Sequence, residues 1–145
     1  MPKDRKVSAT RVIAADRQTI FDLLADPSAH HRFDGSGTVQ RSQDGGPQRL
    51  EEGAEFGMEM KMGAPYRIVN TVVEFEEGRR IAWRHFNGHR WRYELEDVDG
   101  GTRVTETFDW STAKLPLAIE LAGFPRRNLR AIEATLERLE DQVAA

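Results

Sequence analysis

Hydrophobic positions change their spacing along the chain, and this change predicts the order of the elements. Residues 7–15 are rich in apolar and β-branched residues, which is typical of a strand. After Asp16, a favourable N-cap, apolar residues recur at helical spacing. Asp26 and Pro27 predict a second, short helix that runs from Pro27 to Arg32, with Asp26 as its cap.

From residue 38 onward the period becomes two, which is typical of strands that have one buried face. The predicted strands are 38–43, 54–62, 67–76, 80–87, 90–98 and 102–111. Short turns such as Asn87-Gly88 and Asp99-Gly100 separate the later strands. Strands that follow one another through short turns pair antiparallel.

The last segment, residues 115–143, predicts a long helix whose apolar stripe steps by three and four residues. Gly123 and Pro125 predict a break in its first third, because proline inside a helix removes a backbone hydrogen bond. The break either hinges a lid over a cavity or only fits the helix to the curved sheet. The order β-α-α-β-β-β-β-β-β-α predicts one α+β domain over residues 1–145, with a curved antiparallel sheet wrapped around the C-terminal helix.

Turn lengths predict which residues lie opposite each other in the sheet, because paired residues in an antiparallel hairpin share a face. A two-residue turn at Asp99-Gly100 and three- or four-residue loops at the other hairpins keep the aromatic residues on one concave face. The predicted pairs are Tyr93 with Glu106, Trp91 with Phe108, Trp83 with Tyr93, His85 with Trp91, Phe75 with Ile81, Val73 with Trp83, Met58 with Thr71 and Met60 with Val69.

Composition narrows the classes of function. The chain has 21 Lys and Arg against 24 Asp and Glu, a net charge of −3, which excludes a generally basic nucleic-acid binder. The arginines between Arg79 and Arg92 alternate with glutamates and predict a solvated sheet face. There is no cysteine, no apolar run long enough for a membrane span and no signal-peptide pattern, so we expect a cytoplasmic protein.

Three stretches resemble the START-like helix-grip (SRPBCC) superfamily, in its polyketide cyclase/dehydrase and lipid-transport branch. They are Ile20–Pro27, Val73–Trp83 and Gly101–Phe108, and the order of elements agrees along nearly the whole chain. The resemblance implies the helix-grip fold and a hydrophobic ligand held in a cavity between the sheet and the last helix. Phe33 stands where the family pattern usually has tryptophan near the end of the second helix.

The expected cavity wall combines flexible and aromatic side chains. Methionine is unbranched and polarizable, so the methionines of strand 54–62 suit a wall that adapts to apolar ligands. We expect a cavity of roughly 300–1,000 Å³. The candidate ligand-binding residues are Phe56, Met58, Met60, Met62, Thr71, Trp83, His85, Trp91, Tyr93, Glu106, Phe108, Trp110, Leu121 and Phe124.

Polar groups on this apolar face leave the function open between three hypotheses. A buried Glu106 must be paired, protonated or reached by water. Its candidate partners are Tyr93 and the arginines 126, 127 and 130. The first hypothesis is binding of a hydrophobic small molecule of lipid or polyketide type. The second is a cyclase or dehydratase that uses His85, Tyr93 and Glu106, with the imidazole as general base. The third is a protein-interaction module with a filled core. We predict no metal and no cofactor, and the sequence leaves the oligomeric state open.

Overall fold

A seven-stranded antiparallel sheet curves around the long C-terminal helix, in the helix-grip arrangement that the sequence predicts. The computed structural model describes residues 5–35, 39–42, 49–62, 64–85 and 88–143, with the side chains of 39–42 and of Met62 outside the description. The strands are β1 (Lys6–Ile13), β2 (Val39–Ser42), β3 (Glu55–Met62), β4 (Ala64–Glu76), β5 (Arg80–Arg84), β6 (Arg90–Val98) and β7 (Gly101–Asp109). Their order in the sheet is β1-β7-β6-β5-β4-β3-β2, so among the described strands only β1 pairs with one that is distant in sequence.

The helices are α1 (Arg17–Leu24), α2 (His30–Phe33), α3 (Pro116–Leu121) and α4 (Phe124–Val143), and a 3-10 turn (Pro27–Ala29) leads into α2. The two predicted capping residues start α1 and the 3-10 turn that precedes α2. The Asp16 carboxylate accepts a hydrogen bond from the backbone N–H of Thr19 at 3.2 Å. Asp26 accepts one from the backbone N–H of Ser28 at 3.0 Å, which confirms both predicted caps.

The predicted break in the C-terminal helix is confirmed and separates α3 from α4. Gly123 has φ +77°, a left-handed conformation that glycine adopts without the steric cost of a Cβ. Pro125 is the second residue of α4, where its missing N–H leaves no helical hydrogen bond unmade. The chain therefore changes direction at Gly123 and starts a new helix.

The predicted register is confirmed at the β6–β7 hairpin and for Phe75 with Ile81 beside the β4–β5 turn. It is wrong further along β4–β5, in β5–β6 and in β3–β4. Tyr93 pairs with Glu106, as predicted for the β6–β7 hairpin. Trp83 pairs with Trp91 rather than with Tyr93, because β5 ends at Arg84 and the β5–β6 pairing stops there. This shift of two residues keeps both tryptophans on the concave face, so their predicted common face is confirmed.

The register errors that involve β4 change which residues face the interior. A bulge between Val72 and Glu74 places Val72, not Val73, opposite Trp83. On the other side, Met58 pairs with Ile68 instead of Thr71, because β3 and β4 pair as far as Met62 and Ala64. That slip of three residues exchanges the two faces of this part of β4.

The outer face of the sheet carries the arginines as a paired, solvated surface, as predicted. Glu74 accepts hydrogen bonds from Arg92 at 2.7 Å and from Arg90 at 2.9 Å, and these bonds lower its pKa to about 2. Arg80 pairs with Glu94 across β5 and β6 at 3.1 Å. Alternation along the strands sends these charges outward and leaves the aromatic residues on the inner face.

The helix α4 covers the inner face with a buried stripe and is held close to α2. The stripe consists of Ile132, Thr135, Leu136 and Leu139. The backbone N–H of Gly35 donates to Thr135 Oγ1 at 2.8 Å. A Cβ at position 35 would lie 2.5 Å from the Thr135 nitrogen and 2.6 Å from the Ala131 oxygen, so only glycine permits this close approach.

Candidate functional site

A cavity of about 290 Å³ lies between the concave face of the sheet, α2 and the broken C-terminal helix. Its volume is at the lower edge of the range expected from the sequence. Its floor is formed by β3 to β7, and the two helical segments close it from above. The lining residues are His30, Phe33, Asp34, Met58, Met60, Tyr66, Ile68, Asn70, Trp83, His85, His89, Trp91, Tyr93, Glu106, Phe108, Ile119, Phe124, Arg127, Asn128, Ala131 and Thr135.

Methionine and aromatic side chains form the apolar part of the wall, as the strand patterns predict. Met58 and Met60 lie on β3 with their side chains buried. Trp91 and Phe108, which pair across β6 and β7, pack with ring centroids 4.9 Å apart. Trp83 lies beside Trp91 on β5. The wall therefore offers large, polarizable surfaces to an apolar ligand.

His30 is the buried polar residue that closes the cavity on the side of α2, and the sequence analysis did not select it. Its ring stacks on Trp83, with centroids 4.8 Å apart, and its Nε2 bonds to the Leu24 carbonyl at 2.9 Å. Burial lowers the pKa of His30 to about 4, because the interior disfavours the charged imidazolium. The signal in the sequence is the spacing of His30 and Phe33, which places both on one face of a helical turn.

Glu106 and Tyr93 form a buried polar pair in the floor. Both side chains are almost completely buried, and the tyrosine hydroxyl hydrogen-bonds the carboxyl group. Burial raises the pKa of Glu106 well above its usual range, because no compensating cation stands beside the carboxyl group among the described residues. The arginines 126, 127 and 130 form no ion pair with it, so burial favours the protonated form of Glu106.

Two histidines occupy the floor next to the β5–β6 connection. The rings of His85 and His89 lie with centroids 4.6 Å apart, and His89 also contacts Phe108 edge to face at 5.3 Å. Burial lowers the pKa of His85 to about 3 and that of His89 to about 4. Both imidazoles are therefore neutral at pH 7. The described part of the chain holds no group of three or more His, Asp or Glu side chains arranged to bind a metal ion.

Asn70 is a second residue that the sequence analysis missed. It lies on β4 opposite Phe56 and is only 2% exposed. The error in the predicted register hid it, because that register placed Thr71 rather than Asn70 on the inner face. An amide within a run of apolar β-branched residues on β4 was the available signal.

Five predicted binding residues are not described as part of the cavity wall. Thr71 lies on the opposite face of β4 because of the corrected register, and Leu121 is 89% exposed because Ile119 takes the inward position of α3. Phe56 packs behind the wall, edge to face on Trp83 at 5.6 Å. Trp110 is buried, and its Nε1 donates to Glu120 Oε2 at 2.7 Å, which anchors α3. The side chain of Met62 lies outside the described residues.

The other predicted residues line the same cavity. They are Met58, Met60, Trp83, His85, Trp91, Tyr93, Glu106, Phe108 and Phe124. Among the residues described, no helix has both the length and the apolar character that crossing a membrane requires.

Comparisons with known proteins agree with this architecture. Residues 4–144 match the sequence family described as polyketide cyclase / dehydrase and lipid transport. The "Uncharacterized protein Rv0088" of Mycobacterium tuberculosis is 42% identical over 145 residues, which cover 96% of this chain. The chain spans 64% of the length of that relative.

Solved structures share the fold at low sequence identity. Protein CV1439 from Chromobacterium violaceum superposes with a TM-score of 0.75 and 17% identity, covering 100% of this chain and 99% of that chain. The di-domain ARO/CYC StfQ from the steffimycin biosynthetic pathway gives a TM-score of 0.73 and 13% identity, covering 97% of this chain and 50% of that chain. The match over residues 4–144 and the helix-grip architecture together establish that the chain belongs to the polyketide cyclase/dehydrase and lipid-transport family.

Proposed function

We propose that the protein binds a hydrophobic small molecule of polyketide or lipid type in this cavity, and that the ligand carries oxygen atoms. One observation carries the proposal: three buried polar atoms around the cavity have no hydrogen-bond partner among the described residues. They are Asn70 Oδ1, His89 Nδ1 and Glu106 Oε1. A buried polar atom without a partner is costly, so a cavity that keeps three of them is suited to a ligand that satisfies them.

The chemistry of these groups defines the complementary ligand. The amide oxygen of Asn70 accepts a hydrogen bond, and so does whichever ring nitrogen of the neutral His89 carries no proton. The carboxyl group of Glu106, when protonated, both donates and accepts. A ring system or chain with one or two hydroxyl or carbonyl groups fits this set. A charged ligand would instead pay the same burial cost that raises the pKa of Glu106.

Family membership supports the same class of ligand. The family description names polyketide cyclases and lipid transport, and StfQ, which has the same fold, comes from the steffimycin biosynthetic pathway. Apolar contact with Met58, Met60, Trp91 and Phe108 supplies the binding energy in the proposal, and the polar groups supply orientation.

Asn70→Leu tests the polar part of the proposal, because leucine keeps the volume and removes the amide. We expect 2-hydroxyanthraquinone to bind the variant about 10-fold more weakly, as loss of one buried hydrogen bond predicts, and unsubstituted anthraquinone to bind both proteins equally. Quenching of tryptophan fluorescence measures both affinities, since Trp83 and Trp91 line the cavity. Thr71→Val, on the opposite face of the same strand, is the matched control. Absence of binding of either compound to the wild type refutes the proposal.

A dehydratase is the second candidate function, and the pair of Glu106 and Tyr93 favours it. A protonated carboxyl group delivers a proton to a leaving hydroxyl, and a neutral imidazole of His85 or His89 accepts the proton from the adjacent carbon. The carbon–oxygen bond then breaks, and water leaves from a β-hydroxy ketone. The low pKa values of His85 and His89 make both imidazoles weak bases, which favours binding over dehydration.

Turnover of 4-hydroxy-4-phenylbutan-2-one tests this second candidate. We expect a catalysed rate of dehydration that Glu106→Gln lowers at least 100-fold, because amides do not supply the acidic proton. The Thr71→Val protein again serves as the control and should retain the wild-type rate. A wild-type rate equal to that in buffer, together with binding of 2-hydroxyanthraquinone, excludes dehydration of this substrate and leaves the binding function intact.

A further inference from the structure

The short helix α3 presents its apolar side chains to solvent. Leu115, Leu117 and Leu121, the leucine patch, are 64%, 61% and 89% exposed. Leu117 and Leu121 are four residues apart and therefore lie on the same side of the helix. The opposite side carries Ile119, which is 4% exposed and lines the cavity. Three adjacent exposed leucines beside a cavity form a patch of the kind that marks an interaction site.

A buried anchor fixes the orientation of this helix. Glu120 follows Ile119, and its side chain is 4% exposed. Its Oε2 accepts hydrogen bonds from Trp110 Nε1 at 2.7 Å and from Arg5 Nε at 3.1 Å. These bonds tie α3 to the residue before β1 and to the residue after β7. The leucines consequently point outward because the other side of the helix is held, and rotation of α3 would break the anchor.

Positively charged residues flank the leucine patch along the chain. The cationic rim consists of Lys114, Arg126, Arg127 and Arg130, all exposed, and none of them forms an ion pair with another described residue. Between residues 114 and 130 the sole acidic residue is Glu120, which is buried and paired. The whole chain has a net charge of −3, so this region is locally basic on an acidic protein.

We propose that the leucine patch and the cationic rim dock the protein on an anionic phospholipid membrane. Apolar side chains of interfacial helices enter the boundary between headgroups and acyl chains, while flanking Lys and Arg contact the phosphates. The three leucines protrude, and a fluid acyl layer receives protruding side chains without a preformed pocket. The locally basic charge selects anionic over zwitterionic lipid.

The docking surface adjoins the cavity. Ile119 on α3, Phe124 at the start of α4 and Arg127 one turn later all line the cavity. Membrane contact through α3 would therefore bring the break at Gly123 and the adjoining part of the cavity next to the lipid. If the cavity binds an apolar ligand as proposed above, that ligand would then enter from the lipid without crossing water.

Vesicle co-sedimentation tests the docking in the absence of any cavity ligand. We expect the protein to bind vesicles of phosphatidylcholine with 30% phosphatidylglycerol (about a third anionic lipid), at least 10-fold more tightly than vesicles of phosphatidylcholine alone. The double variant Leu117→Ser/Leu121→Ser should lose at least 10-fold of this binding, and Arg126→Gln/Arg130→Gln should lose it together with most of the salt dependence. Val69→Ser, which replaces an apolar residue that is 54% exposed on the sheet, should bind like the wild type.

The outcomes separate docking from ligand binding. In lipid-free solution the Leu117→Ser/Leu121→Ser protein should bind 2-hydroxyanthraquinone with the wild-type affinity, because neither leucine lines the cavity. Equal vesicle binding by this variant and the wild type overturns the proposal. Absence of vesicle binding by the wild type also overturns it, and leaves an acidic protein as the occupant of this surface.

Discussion

His30→Ala is expected to lower the free energy of unfolding at pH 7 by about 3 kcal/mol. The substitution removes a buried ring that stacks on Trp83 and packs against Phe33 and Phe56. It also leaves the Leu24 carbonyl without the hydrogen bond from Nε2. Urea unfolding followed by tryptophan fluorescence measures the loss. His31→Ala is the matched control, because the neighbouring side chain is exposed and its removal should change stability by less than about 0.5 kcal/mol.

The effect of His30→Ala should also depend on pH in a defined direction. The pKa of His30 is lowered from 6.5 to about 4, so the unfolded chain takes up a proton at a pH where the native state does not. The contribution of neutral His30 to the free energy of unfolding is fully present above pH 6.5 and is lost as the pH falls towards 4. The difference between wild type and variant should therefore shrink from pH 7 to pH 4. An unchanged difference would contradict the prediction, because it requires that His30 has the same pKa in the native and the unfolded state.

Glu106→Gln is expected to raise the melting temperature at pH 8 and to change it little at pH 5. The folded pKa of Glu106 lies well above the 4.5 of an ordinary glutamate, so the native state retains a proton that the unfolded chain releases. The contribution of Glu106 to the free energy of unfolding is fully present below pH 4.5 and is lost as the pH rises towards the pKa of the folded state. Glutamine is neutral in both states, and its protein should lack this decline. Tyr93 titrates above pH 10 and leaves this window unaffected.

A matched carboxylate gives the control for this prediction. Glu96→Gln removes an exposed group that pairs with Arg103 on the outer face, and exposed pairs of this kind contribute little. Its melting temperature should follow the wild type at both pH values. A loss of about 3–5 kcal/mol at pH 8 on Glu106→Gln would contradict the prediction, because that result requires a charged carboxylate in a buried ion pair.

Local sequence signals predicted the elements of the fold but not all of the cavity. Asp16 and Asp26 predicted two helix starts, because a capping carboxylate bonds to a backbone N–H within three residues. Asp99-Gly100 predicted the β6–β7 register, because a two-residue turn allows one pairing. The bulge after Val72 depends on how the whole sheet bends, and no local sequence pattern predicted it. The predicted register therefore selected Thr71 and missed its neighbour Asn70 in the floor.

His30 escaped prediction for a different reason. Its importance comes from Trp83, which is more than fifty residues away in sequence and meets it only after the sheet has folded over α2. The charge state of Glu106 likewise depended on whether an arginine of α4 reached it. The sequence placed three arginines on α4, and only the structure shows that none of them forms an ion pair with Glu106.

The backbone contact at Gly35 also provides a criterion for comparing homologous sequences. Because a Cβ at that position would overlap the backbone of α4, any relative with a larger residue there must hold its two helices further apart. Ala131 and Thr135, the residues against which Gly35 packs, form one edge of the cavity. Members of the family with glycine at this position should therefore accept slimmer molecules than members with alanine or serine. The residue at this one position should thus predict how wide a ligand each member binds.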